Sequence, residues 1–133
     1  MADCFSVKLR VTGVLLALDA AVLFLLGTLL SVLPQYVLLA FGFGDLSVGV
    51  TYIVALWGCA LLTMALGYWK ASADPVRHLV WAQVGIARGA LQAGVGIIYL
   101  LRGIVTFRQA GLGIILAGLF ALAYLIFYPR AEK

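Results

Sequence analysis

Charge is scarce in this sequence. Only 11% of its 133 residues are Asp, Glu, Lys or Arg, against 65% hydrophobic ones, whereas soluble domains carry about 25% charged and roughly 45–50% apolar residues. Too few polar side chains remain to wet the surface of a globule, which excludes an ordinary soluble domain. Histidine is limited to His78, at the mouth of an apolar run and read as solvated or headgroup-facing. No metal site can be built on a histidine cluster, and no Cys/His spacing replaces one. Cysteine is limited to Cys4 and Cys59, the first before one long apolar run and the second inside another. They make no disulfide framework and read as free thiols, Cys59 as a small packing residue. Cys4 is not preceded by a lipobox. The chain also lacks a GxSxG, a phosphate-binding loop, a dinucleotide fingerprint and a carboxylate pair within one span. No metal, no cofactor and no enzymatic activity are expected.

Long apolar runs fill the chain instead, and its mean hydropathy is +1.16. A membrane-crossing helix needs about 20 predominantly apolar residues. Four such runs, at about 11–33, 48–69, 76–101 and 110–128, use up nearly all of it. The expected fold is all-α: a single four-span transmembrane domain over residues 1–133, with no room for a soluble catalytic domain. The links from Lys70 to Asp74 and from Arg102 to Gln109 are short, which forces neighbouring helices antiparallel and predicts an up-down-up-down bundle. The first run is too long for a signal peptide, contains Asp19 and lacks a small-x-small cleavage site, so it is read as retained. Pro34 closes it. The stretch from Pro34 to Ser47 is too apolar for an ordinary loop and too short to cross, so an interfacial or re-entrant segment turning at Gly42 and Gly44 is expected. Asp74-Pro75 reads as a helix start, an N-cap carboxylate followed by proline at the first helical position. Pro129-Arg130 reads as the stop of the last span.

The formal net charge is +4, yet the basic residues flank apolar runs rather than forming a patch, so nucleic acid is not an expected partner. The lipid bilayer is. Lys8, Arg10, Lys70, Arg77, Arg130 and Lys133 fall on one side, and only Arg102 and Arg108 on the other. That bias places both termini in the cytoplasm of a multi-pass membrane protein. Trp69, Trp81, Tyr124 and Tyr128 are then expected near the cytoplasmic interface, and Tyr36, Tyr52 and Tyr99 near the outer one. Gly85, Gly89 and Ala93, with Ala117 and Ala121, give small-xxx-small steps that let helices approach closely.

Two charges fall inside spans. Asp19 on the first and Arg88 on the third would each cost at least about 2.5–3.5 kcal/mol at a helix centre facing lipid. At 1.5 Å per residue they lie roughly 12 Å and 18 Å in from the same side, a difference an arginine side chain covers. An Asp19–Arg88 ion pair is the expected solution. Thr12, Leu23, Leu26 and Leu30 flank Asp19. Trp81, Gly85, Gln92 and Tyr99 share the face of Arg88, with Gly96 beside it, and Gln83 points the other way. The candidate site is therefore Asp19, Arg88, Gln92, Trp81 and Tyr99. Two readings stay open: a structural pair that fixes which helices meet, or a cavity for a polar or anionic group or a proton relay.

The stretch from Leu66 to His78, LGYWKASADPVRH, resembles the junction between the second and third helices of small bacterial inner-membrane proteins of the DoxX-like and BphX-like grouping. The matching residues are Gly67, Tyr68, Asp74, Pro75, Arg77 and His78. The resemblance implies four spans in a bacterial inner membrane. Members of that grouping mostly lack an assigned activity, and some are accessory subunits of redox systems, so no catalytic residue carries over. The expected role is a non-enzymatic accessory or assembly subunit, with a membrane-protein partner or a second copy of itself. The alternative is a carrier or binder of a small quinone-like or lipid-like molecule at Asp19, Arg88 and Gln92.

Overall fold

The computed structural model describes residues 2–129, with side chains from residue 5 onward. Cys4, Arg130 and Lys133 lie outside what is described of side chains. Five helices follow in order: α1 (Ala2–Val32), α2 (Pro34–Ala40), α3 (Val48–Ala73), α4 (Leu79–Leu101) and α5 (Phe107–Phe127). All of them but α2 are long and apolar enough to cross a membrane. Their outward faces carry large apolar side chains, among them Phe24, Leu66, Leu91 and Leu119. A helix apolar on every face suits lipid around a small protein core. The chain is a small all-α membrane protein.

The helix ends follow local chemistry. No breaker precedes Val11, so α1 begins well upstream and its 31 residues extend about 46 Å. That exceeds a hydrocarbon core of about 30 Å, and Lys8 and Arg10 are carried on the helix itself. Pro34 interrupts the chain by opening α2 as its first residue, where its missing N–H is harmless. Gly42 (φ +84°) then turns the chain, with Phe43 N–H bonded to Leu38 O at 3.0 Å and Gly42 N–H to Leu39 O at 2.9 Å. Gly103 (φ +67°) repeats this Schellman ending after α4. Gly44 has no positive φ among the described glycines, so the turn belongs to Gly42 alone.

The Asp74-Pro75 step behaves differently from the helix start expected of it. Asp74 ends α3, because the residue before a proline is steered away from helix. Its carboxylate accepts from Arg77 N–H at 3.2 Å. A turn then fills residues 75–78, and α4 opens at Leu79 with His78 as its N-cap. At α5, Thr106 and Gln109 form a reciprocal capping box.

The helices pair into two hairpins. In the first, α1 meets α3 at two facing glycines: a Cβ on Gly27 would sit 2.8 Å from Gly58 O, and one on Gly58 2.8 Å from Gly27 O. In the second, a Cβ on Gly89 of α4 would meet Ala117 O at 2.6 Å and Ala121 Cβ at 2.8 Å on α5. Backbones this close gain dispersion contacts, the main attraction available between helices in lipid. The hairpins stand further apart from each other, and large side chains bridge them. Tyr124 of α5, seated over Gly85 of its own hairpin, reaches Leu15 O on α1 at 3.3 Å, and Trp81 of α4 lies across Gly67 of α3 beside Tyr68, ring centroids 5.4 Å apart. The Thr12 hydroxyl reaches Phe127 O at 3.0 Å and Lys8 O at 2.9 Å.

Candidate functional site

Between the hairpins, at the half of the bundle nearer the N-terminus, lies a polar cluster. Asp19 is 1% exposed. One Arg88 guanidinium nitrogen, Nη2, donates to both its carboxylate oxygens, at 2.7 and 2.9 Å. This is the one ion pair among the described residues. The Tyr124 hydroxyl lies 3.1 Å from Asp19 Oδ2 and 3.3 Å from Leu15 O. The guanidinium also sits 5.2 Å from the centre of the Tyr68 ring, within the range of a cation–π contact. Arg88 Nε and Nη1 and the Tyr68 hydroxyl are buried without a hydrogen-bond partner among the described residues.

Side-chain lean explains why these groups converge. In a helix the Cα–Cβ bond tilts toward the N-terminus. Asp19 and Arg88 ride on helices running away from the N-terminal end of the bundle, so both lean back toward it. Tyr68 and Tyr124 ride on helices running the opposite way and lean toward the middle. Residues at different depths thus meet at one level. Tyr124 and Trp81, expected by depth near the cytoplasmic interface, face protein, Tyr124 fully buried and Trp81 against the core. Tyr68 and Tyr124 are the partners that sequence reasoning missed. A phenol on a membrane span that faces protein seeks a hydrogen-bond acceptor, but nothing in the spacing shows that these two face protein.

The shared face on α4 is divided by depth. Trp81 and Arg88 meet the other hairpin directly, and Gly85 between them seats Tyr124 of α5. One turn beyond Arg88 the hairpins part, and a cleft of about 520 Å³ opens, with Gln92, Gly96 and Tyr99 on its wall. Val22, Leu26, Leu30 and Leu116 supply much of its apolar lining, and Trp57, Phe41, Phe43 and Gln109 complete it. Asp19 and Arg88 do not line it; they stand one turn below it. Gln109 ties the rim together: its carbonyl accepts from Thr106 N–H at 2.8 Å, and its amide donates to Gly42 O at 3.1 Å. Gln83 is exposed away from the Arg88 cluster and donates to the Tyr128 hydroxyl at 2.7 Å.

Cys59 departs from its expected packing role. It is exposed at the edge of the α1–α3 seam, with Sγ 3.6 Å from the Ser31 hydroxyl on α1. Among the described residues no three His, Cys, Asp or Glu side chains come together as metal ligands. No protein-family model matches the chain, and no curated protein or solved structure matches it either.

Proposed function

We propose that this is a non-enzymatic membrane protein that binds or carries a small amphipathic molecule in the cleft between its hairpins. The cleft itself carries the reading. Its roughly 520 Å³ of mostly apolar wall, with Gln92, Tyr99 and Gln109 as polar points, matches the make-up of small-molecule sites of about 300–1,000 Å³ between the helices of bundles. The candidate residues then divide by role. Asp19 and Arg88 clasp the hairpins below the cleft, while Gln92 and Tyr99 face what enters it.

Filling the cleft tests this. Gly113 lines it, and the nearest side-chain atom to a Cβ there is Gln92 Nε2 at 4.0 Å, so a larger side chain has room to grow inward. Protein purified in mild detergent from native membranes should release an amphiphile detectable by mass spectrometry, and Gly113→Leu should release far less at unchanged thermal stability. Equal release from both would remove the cleft from consideration.

The closed Asp19–Arg88 contact favours a second reading, an accessory or assembly subunit of a larger system in a bacterial inner membrane, with both termini cytoplasmic. In that case the pair fixes the bundle, and the work lies on the outer helix faces. The resemblance of the Leu66–His78 junction to the DoxX-like and BphX-like grouping supports this role. Stoichiometric co-purification of a second membrane protein, undisturbed by Gly113→Leu, is the result it requires.

A further inference from the structure

We infer that the occupant of this cleft is a single-chain amphiphile with an anionic headgroup, its chain running toward the Asp19–Arg88 clasp and its headgroup at Arg108. The inference rests on the proposed ligand-binding role and specifies the chemistry. The deep wall is built from Val22, Leu26, Leu30 and Leu116, which suits a hydrocarbon chain. The clasp below it is already charge-neutral, a carboxylate against a guanidinium, and neither of its residues lines the cleft.

The rim is different. Phe41 and Phe43 line it on either side of Gly42. The Arg108 stem lies across that glycine, its Cδ 3.3 Å and Nε 3.4 Å from where a Cβ would be. Gly42 holds a left-handed φ of +84°, and its lack of a side chain lets the arginine lie there. Arg108 is thus placed one residue from the lining on both sides, beside Gln109 on α5 and against the turn after α2. Among the described residues it has no carboxylate partner. The one acidic group at this end, Asp45, accepts from Gln35 at 3.3 Å, whereas Arg102 and Arg108 both lie here. An unneutralised guanidinium at the mouth of an apolar cleft is complementary to a carboxylate or phosphate that carries a chain. The cleft is of small-molecule size, too small to enclose a diacyl phospholipid.

Trp57 on the cleft wall supplies the readout. The full chain is placed in nanodiscs of zwitterionic lipid and titrated with a brominated fatty acid, and with the same chain as its methyl ester. Saturable quenching of tryptophan emission by the acid is expected, abolished in Trp57→Phe. Arg108→Gln should weaken it by roughly tenfold, the scale of a charge-assisted hydrogen bond, and Arg108→Lys should restore part of it. Equal quenching by the methyl ester, or no change in Arg108→Gln, overturns the anionic headgroup and leaves the cleft as a binding site. Absence of Trp57 quenching by either chain overturns the ligand-binding reading beneath it.

Discussion

At the scale of single residues, the strongest demand on this chain comes from Asp19. A carboxylate 1% exposed in a low-dielectric interior survives only if it is paired and hydrogen-bonded. Arg88 and Tyr124 meet that demand, one by charge and one by a hydroxyl. Breaking a buried pair from one side strands the other charge at a cost of about 3–5 kcal/mol, whereas replacing both partners with apolar residues can be nearly neutral. Asp19→Asn and Arg88→Gln should therefore each lower the melting temperature in detergent. The double change Asp19→Leu with Arg88→Met should recover much of the loss. Strictly additive losses would show that the two side chains are not energetically coupled. The need for a partner was legible in the sequence, because a charge inside a span has few options. The tyrosines were not, because residues near a helix end are assigned to the interface by depth, and side-chain lean carries these two inward.

At the scale of elements, small residues set the distances. Gly27 and Gly58 face each other's carbonyl oxygens, so a Cβ on either would strike backbone, which cannot rotate away. Gly58→Ala should destabilise the first hairpin by about 1–3 kcal/mol, the usual range for overpacking. Gly118, also mid-helix, has nothing within 4 Å of its Cβ position. Gly118→Ala should leave stability unchanged or raise it by up to about 1 kcal/mol through helix propensity. Thermal unfolding of the two variants side by side checks both, and similar shifts would mean that close approach is not what holds the hairpin. The steps at Gly85, Gly89, Ala117 and Ala121 could be read from spacing, and these residues are buried where α4 meets α5. The Gly27–Gly58 contact could not: Gly58 has the bulky Val54 and Leu62 four residues away, and the single step from Gly27 to Ser31 does not say which helix it meets.

For the whole molecule, the bundle behaves as two hairpins joined firmly at one end. Tyr124, Trp81, Thr12 and the ion pair bridge the half nearer the N-terminus, and at the far end the Gln109–Gly42 hydrogen bond spans the rim of a cleft. Orientation in the bilayer is a separate matter, governed by flanking charge. Lys8, Arg10, Lys70 and Arg77 outnumber Arg102 and Arg108, and Arg130 and Lys133, outside the described residues, add to the same side. Reporter fusions after Ser72 and at the C-terminus should be cytoplasmic, and one near Asp45 should be external. A cysteine at Gly44, which is exposed, should react with an impermeant thiol reagent added from outside. A cytoplasmic signal at Asp45 would invert the frame.

Composition alone made this chain an all-helical membrane protein, because 65% hydrophobic residues arranged in runs of about 20 leave no other way to satisfy backbone hydrogen bonds in lipid. The same composition required that Asp19 and Arg88 find protein partners. What only the tertiary structure decided is where that face of α4 closes and where it opens. Helix periodicity places Trp81, Arg88, Gln92 and Tyr99 on one side but says nothing of the distance to the opposite helices. That distance is set by the bulk of Tyr68, Trp81 and Tyr124 wedged between the hairpins at one end, and by the absence of comparable wedges around Gln92.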